Sequence, residues 1–122
     1  MRWKLTVRAG PKVQRRAFGD VAAALDELEV RGRELAREAP DTAVDARFKR
    51  FEPAEQVVAR LEVSGPERFV PSVRAGIDIR GDGSAKAYRG RVRREAIAEG
   101  ASENAYAALR RALVDAADRR LR

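Results

Sequence analysis

An alternation of apolar and charged residues, repeated in several separate segments, constrains the fold of this chain more than any other feature of its sequence. In the first segment, Trp3, Leu5 and Val7 alternate with polar residues, and the same period of two recurs over 57–63 and 73–80. Successive side chains of a β-strand point to opposite faces of the sheet. The alternation therefore predicts strands that bury one face and expose the other.

Turn-forming residues separate these strands. Gly10-Pro11 is predicted to end the first strand, and Gly65-Pro66 the strand over 57–63. Gly81-Asp82-Gly83 is typical of a tight hairpin, because Asp-Gly tolerates the positive φ that such turns need. Two further strands are predicted, one from Val44 to Phe51 and one from about Ser84 to Ile97.

Two segments have helical periodicity. The first runs from about Gly19 to Glu38, with Asp20 as its N-cap, and Pro40-Asp41 is predicted to close it. The second follows Ser102, which is predicted to be its N-cap. These elements predict an α+β fold for one domain over residues 1–122. The sheet is mostly antiparallel, in the order β-α-β-β-β-β-α, with two helices packed on one sheet face.

The chain is strongly basic, with 26 Lys and Arg residues against 19 Asp and Glu residues and a net charge of +7. Two explanations compete for the arginine content. A surface that binds polyanions would need arginine, because the guanidinium fork matches phosphate oxygens. A genome rich in G and C would also favour arginine and alanine codons. The second explanation accounts for the number of arginines but not for their positions.

The positions of the cations predict one cationic sheet face, opposite the helices. If the apolar residues of each strand point toward the helices, their neighbours point away. On the last strand, placing Tyr88 and Val92 inward sends Arg89, Arg91 and Arg93 outward. Across the whole face, the acidic residues that would balance these cations are limited to Asp45, Glu62 and Asp78. The candidate nucleic-acid-binding residues are Arg2, Lys4, Arg8, Arg47, Lys49, Arg60, Arg74, Arg80, Arg89, Arg91 and Arg93.

Absent residue types exclude much familiar chemistry. The chain has no cysteine and no histidine. It therefore has no disulfide, no thiolate nucleophile, and neither of the two commonest zinc ligands. The sequence predicts no cofactor, no metal site and no catalytic residue. No apolar run reaches the roughly 18 residues of a membrane helix, and the N-terminus lacks a signal-peptide pattern. The predicted location is cytoplasmic, with no membrane partner.

Most aromatic residues fall at predicted core positions, and only Phe51 and Phe69 are surface candidates. Proteins that read single-stranded RNA stack its bases on exposed aromatic rings. Recognition of the backbone or shape of structured RNA is therefore favoured over base reading.

The last third of the chain resembles the N-terminal domain of the ribosome hibernation-promoting factors. The stretch that carries the resemblance is Glu103-Asn104-Ala105-Tyr106-Ala107-Ala108-Leu109, preceded by Arg93-Arg94-Glu95-Ala96 and followed by a basic C-terminal end. That family has the order β-α-β-β-β-α. The β region of this chain is longer by one strand, and 94–102 is expanded. The resemblance implies binding to ribosomal RNA without catalysis.

Two functions of different classes follow from these features. The first is a non-enzymatic module that binds structured RNA or the ribosome through a basic sheet face. The alternative is a protein-interaction or assembly subunit, whose partner is an acidic protein or a second copy of the chain paired at an exposed sheet edge.

Overall fold

The computed structural model describes residues 2–45, 56–67, 73–90 and 93–121. Their elements are β1 Arg2–Ala9, β2 Lys12–Phe18, α1 Val21–Asp45, β3 Val57–Glu67, β4 Val73–Arg80, β5 Ala85–Arg89, β6 Glu95–Ala96 and α2 Ala105–Leu121. None of the helices in this described part has the length and apolar character that a membrane-crossing helix needs.

All six described strands form one sheet, in the order β2-β1-β3-β4-β5-β6, and every neighbouring pair is antiparallel. Because β1 is antiparallel to both β2 and β3, those two outer strands run parallel to each other. Helix α1 connects them across β1. The rest of the sheet is a meander from β3 to β6, and α2 follows it.

Both helices pack on the same face of the sheet, where they bury the apolar half of each alternating strand. Leu5 on β1, Leu61 on β3 and Ile77 on β4 are at most 2% exposed, and they join Leu28 of α1 and Leu109 of α2 in one core. Helix α1 contacts β1, β3 and β4, whereas α2 contacts β4 and β5. The predicted α+β class, with a mostly antiparallel sheet and both helices on one face, is confirmed.

Strand β2 is the one element that the sequence did not predict. Gly10, with φ at 58°, forms the turn of a β1–β2 hairpin, where the sequence predicted only the end of β1. Six of the seven residues of β2 are exposed, and only Phe18 is half-buried. A strand that is exposed on both faces needs no apolar alternation, so its sequence carries none. The observed order is therefore β-β-α-β-β-β-β-α.

Helix α1 begins as predicted and ends later than predicted. The Ala23 N–H donates to Asp20 Oδ1 at 2.8 Å, which confirms Asp20 as the N-cap. The predicted end at Pro40 was wrong, because the helix continues to Asp45. Proline lacks an N–H, so at this turn the helix loses its bond to the Ala36 carbonyl. A β-carbon at Gly83, in the β4–β5 hairpin, would lie 3.0 Å from that carbonyl oxygen.

Three predicted strands differ from the structure. The predicted end of the strand over 57–63 at Gly65-Pro66 was wrong, because β3 continues through both residues to Glu67. Of the strand predicted from Val44 to Phe51, residues 44–45 are helical, and the remainder lies outside the described residues. The strand predicted from Ser84 to Ile97 is divided into β5 and the two-residue β6. Gly90, with φ at 112°, follows β5 directly. A single strand could not continue through that left-handed conformation.

The remaining boundaries depend on local hydrogen bonds. The predicted hairpin at Gly81-Asp82-Gly83 is confirmed, since the Gly83 N–H donates to the Arg80 carbonyl at 2.9 Å. The predicted cap of α2 at Ser102 was wrong. Asn104 caps this helix instead, because its Oδ1 accepts the Ala107 N–H at 2.8 Å. Glu103 turns back to the Gly100 N–H at 2.7 Å, and it also pairs with Arg111.

Candidate functional site

We call the sheet surface turned away from both helices the open face. Its members are identified by register, because residues paired across antiparallel strands point to the same side. They are Arg2, Lys4, Thr6 and Arg8 of β1; Val13, Arg15 and Ala17 of β2; Arg60, Glu62 and Ser64 of β3; Arg74, Gly76, Asp78 and Arg80 of β4; and Lys86 and Tyr88 of β5.

The open face is cationic, as the alternation predicted. Its described side chains include two carboxylates, Glu62 and Asp78. The cations are Arg2, Lys4, Arg8, Arg15, Arg60, Arg74, Arg80 and Lys86. Six of the residues that the sequence singled out therefore share this surface, namely Arg2, Lys4, Arg8, Arg60, Arg74 and Arg80.

The other five candidates are not placed there. Arg47, Lys49 and Arg91 lie outside the described residues. The placement of Arg89 on this surface was wrong, because Arg89 pairs with the core residue Ala75 and so lies on the helix side of the sheet. Its guanidinium lies 3.7 Å from Glu95. Arg93 is exposed between β5 and β6 and belongs to neither strand.

The error at Arg89 has one cause, the orientation of Tyr88. The sequence argument put this large aromatic residue in the core, but the small residue Ala87 faces the helices instead, opposite Ile77. Assigning one residue of a strand to the wrong face reverses the face of all its neighbours. Tyr88 is nevertheless 4% exposed, because open-face side chains cover its ring.

Tyr88 lies across a glycine in the neighbouring strand. Gly76 is directly opposite Tyr88, and a β-carbon at Gly76 would be 2.8 Å from the phenol oxygen. The Tyr88 hydroxyl donates to Glu62 Oε1 on β3 at 2.9 Å. Glycine thus leaves the space through which the phenol reaches a carboxylate two strands away. Burial raises the pKa of Tyr88, and the nearby Glu62 charge raises it further.

Two arginines are paired with the two carboxylates. Arg60 and Asp78 are opposite each other on β3 and β4, and two hydrogen bonds join them, of 2.6 and 3.2 Å. The hydrogen bonding of Arg60 to the Asp78 carboxylate raises the pKa of Arg60. Arg74 donates to Oε2 of Glu62, the carboxylate oxygen that Tyr88 does not use, at 3.1 Å. Charge-assisted bonds of this kind are the stronger class of hydrogen bond in proteins.

Cations also lie against the Tyr88 ring. The guanidinium carbons of Arg60 and Arg94 are each 5.5 Å from the ring centroid, within cation–π distance. We call Arg60, Glu62, Arg74, Asp78, Tyr88 and Arg94 the open-face cluster. Within the cluster, the two carboxylates balance the charges of Arg60 and Arg74 and fix the side chains of these arginines. Positive charge remains in excess around the cluster, on residues such as Arg8, Arg15 and Lys86.

Five ionisable groups of the cluster are hydrogen-bonded to one another, namely Arg60, Glu62, Arg74, Asp78 and Tyr88. Each of its carboxylates accepts hydrogen bonds from an arginine, and Tyr88 is held in its neutral form. Among the described residues, no group of three or more acidic side chains could hold a metal ion. Such an arrangement can bind anions through its cations, and its paired carboxylates keep the face ordered.

Arg15 and Arg94 were not among the residues predicted from the sequence for this surface. Arg15 lies on the unpredicted strand β2, and Arg94 reaches Tyr88 from the segment between β5 and β6. The sequence did contain one sign of the Tyr88 orientation. A glycine in a strand interior often marks a place where a ring or backbone approaches closely. Gly76 is such a glycine.

The two tyrosines provide a test of this packing by pH titration. Burial raises the pKa of Tyr106 as well as that of Tyr88 above the ordinary value of 10.0, and the chain has no other tyrosine. Groups whose pKa is raised by folding stabilise the fold fully below about pH 10, and this contribution is lost as the pH rises further. We expect the folded protein to show less tyrosinate absorbance near pH 10 than the unfolded chain does.

The chain in denaturant is the control, since its phenols should titrate at about pH 10. A tyrosinate signal at that pH as large as that of the unfolded chain, in a protein with native circular dichroism, would contradict the burial of the rings.

Comparison of the chain with family models, with curated proteins and with solved structures gives no match. The resemblance to the hibernation-promoting factors therefore stays a prediction. Strand β2, which precedes α1, is an addition to the β-α-β-β-β-α order that this resemblance implies.

Proposed function

We propose that the protein is a non-enzymatic module that binds the phosphate backbone of structured RNA, such as ribosomal RNA, through the open face. The observation that carries the proposal is the excess of cations over carboxylates among the side chains of that face. Positive surfaces of this kind attract the phosphates of nucleic acids and release their counterions. The likeness of the C-terminal third to a ribosome-binding family supports the same ligand class.

The distribution of aromatic residues favours recognition of the backbone. Tyr88 is the one aromatic residue among the described members of the open face, and it is 4% exposed beneath Arg60 and Arg94. An aromatic ring so covered cannot stack on a base. Double-stranded RNA is recognised largely by shape and through its phosphates and 2′-hydroxyls. A duplex therefore fits this face better than a single strand does.

Two cations are suited to a test. Arg8, Arg60, Asp78 and Lys86 form one row across β1, β3, β4 and β5. Arg8 and Lys86 are the exposed ends of this row, about 14 Å apart at the usual strand spacing. Their replacement by alanine removes two positive charges and leaves every residue of the cluster and of the core unchanged.

We expect the Arg8→Ala/Lys86→Ala variant to bind an RNA duplex of about 16 base pairs more weakly than the unchanged protein. The slope of log affinity against log salt should fall by about two, one for each lost phosphate contact. Fluorescence anisotropy with labelled duplex over a series of salt concentrations measures both quantities.

The matched control is Arg37→Ala/Arg89→Ala, which removes the same charge from exposed positions on α1 and on the helix side of β5. Its salt slope should equal that of the unchanged protein. Failure of the unchanged protein to bind duplex at low salt would refute the proposal. If both variants showed the same decrease in the slope of log affinity against log salt, the binding would be nonspecific attraction by net charge and not contact with the open face.

The second candidate function is a protein-interaction or assembly subunit. The observation that favours it is the exposure of β2 at the edge of the sheet. A small enzyme is the least favoured class, since no cysteine or histidine is present.

A further inference from the structure

The two edges of the sheet differ in what they offer a partner. One edge is β6, which has two residues. The other edge is β2, which has seven, and among the described residues no strand pairs with its outer side. An edge strand points a row of N–H and C=O groups outward, and proteins commonly shorten or cover such rows. Strand β2 is long enough to accept an added strand, and β6 is not.

Strand β2 is held in place by α1 on the helix side of the sheet. Arg31 of α1 donates to Gln14 Oε1 at 2.8 Å, and Glu27 of α1 lies 3.6 Å from the Arg16 guanidinium. Arg16 also lies over the Phe18 ring, at 5.3 Å from its centroid. These contacts fix the strand before any partner arrives. A fixed edge loses little conformational entropy on binding, which favours addition of a strand there.

The charge of β2 discriminates among partners. The strand carries Lys12, Arg15 and Arg16 and no acidic residue. Lys12 and Arg16 lie on the helix side of the sheet, whereas Arg15 lies on the open face. Lys12 and Arg15 are exposed and have no ion pair with any described residue. A strand added beside β2 would therefore find a cation next to its side chains on either face.

Pairing of β2 with a second copy of itself is disfavoured by the same charges. A ribbon of two β2 strands would bring together three cations from each copy and no carboxylate. Like charges on facing strands destabilise their pairing, whereas opposite charges stabilise it. Val13, at 40% exposure, adds an apolar contact that an alternating strand could cover.

We propose that the outer edge of β2 binds an extended acidic segment of a partner protein as an added β-strand. Main-chain hydrogen bonds supply the affinity, and Lys12 and Arg15 select carboxylate side chains. This surface is separate from the middle of the open face, where the RNA proposal rests, although Arg15 borders both.

The probe is a labelled ten-residue peptide that alternates glutamate with valine and threonine. Two matched peptides accompany it, one with lysine in place of glutamate and one with two central residues replaced by proline. Proline has no N–H, so the third peptide keeps the charge but cannot form the ladder. We expect the acidic peptide to bind and the other two to bind at least about ten-fold more weakly.

The matched protein variants reverse charge on and away from the edge. Lys12→Glu/Arg15→Glu should lose at least about ten-fold in affinity for the acidic peptide and should gain affinity for the lysine peptide. Arg37→Glu/Arg89→Glu makes the same change of net charge elsewhere and should alter the affinity far less. Both pairs are exposed, so each variant should keep the circular dichroism of the unchanged protein.

Hydrogen exchange shows where the peptide binds. Amides of Lys12–Phe18 should become protected when the acidic peptide is added, and those of β6 should not. The proposal would be overturned by no binding of the acidic peptide, by equal binding of the proline peptide, by protection confined to other strands, or by a dimer in light scattering whose β2 amides are protected without any peptide. Protection of β2 by duplex RNA and not by the peptide would also overturn it, and would extend the RNA surface to this edge.

Discussion

Replacing Gly76 with alanine should destabilise the fold more than any other single-methyl addition that we consider, by about 3 kcal/mol or more. The added β-carbon would lie 2.9 Å from the Glu62 Cα and 2.8 Å from the Tyr88 hydroxyl, and closer still to the Leu61 carbonyl oxygen. Real β-carbons do not approach other atoms so closely, so something must move.

The atoms near Gly76 have little freedom to move. Leu61 and Glu62 are backbone partners of β4 in the middle of the sheet, and Leu61 is fully buried. Separating β3 from β4 at this point would break the ladder between two central strands. Tyr88 could turn away, but its hydroxyl would then lose Glu62 and its ring would lose the cover of two arginines.

Denaturant titration followed by circular dichroism measures the effect. The control is Gly19→Ala, because a β-carbon at Gly19 would have no atom within 4 Å. That variant should change the free energy of unfolding by less than about 0.5 kcal/mol. If Gly76→Ala does not fold, the variant Gly76→Ala/Tyr88→Phe separates the causes, because it removes the hydroxyl contact and keeps the buried ring. It should also fail, because the backbone contact remains. A Gly76→Ala protein as stable as the control would contradict the packing of β3 on β4.

The alternation in the sequence predicted β1, β3 and β4 because each of these strands buries one face under a helix. Leu5, Leu61 and Ile77 are apolar for that reason, and their neighbours are polar because they lie on the open face. Strand β2 is exposed on both faces, so no selection for apolar residues marked it. Periodicity detects burial, and it therefore misses a strand that is held by its pairing with β1 and by polar contacts with α1.

The candidate face was predicted in part for a similar reason. Cations on β1, β3 and β4 were placed on the correct side, and Glu62 and Asp78 were recognised as their offsets. Which arginine pairs with which carboxylate depends on register, and periodicity within one strand carries no information on register. Strand β5 was reversed because Ala87 is small and Tyr88 is large, whereas the space between the sheet and α2 accepts the small residue.

The contact between the two helices leads to the second large effect. Gly32 of α1 is buried, and a β-carbon there would lie 2.5 Å from the Tyr106 hydroxyl of α2. Alanine is favoured over glycine in a helix interior by about 1 kcal/mol, so propensity alone would make Gly32→Ala stabilising. We expect the opposite sign, a loss of about 1 to 3 kcal/mol, because Tyr106 is 6% exposed and cannot turn freely.

The Tyr106 hydroxyl provides the means of rescue. It is buried and has no hydrogen-bond partner among the described residues. Removing such a group costs little, and Tyr106→Phe should leave the stability unchanged or raise it by up to about 1 kcal/mol. The double variant Gly32→Ala/Tyr106→Phe should recover part of the loss. Recovery is incomplete because the ring carbons Cε1 and Cζ would still lie 3.0 and 3.1 Å from the new methyl group.

A double-mutant cycle measured by denaturant titration isolates this contact from the change in helix propensity, which is the same on both sides of the cycle. The coupling between positions 32 and 106 should be at least about 1 kcal/mol, in the direction that favours the pair of substitutions made together. Additive effects, or a Gly32→Ala variant that is more stable than the unchanged protein, would mean that the helices are farther apart than described.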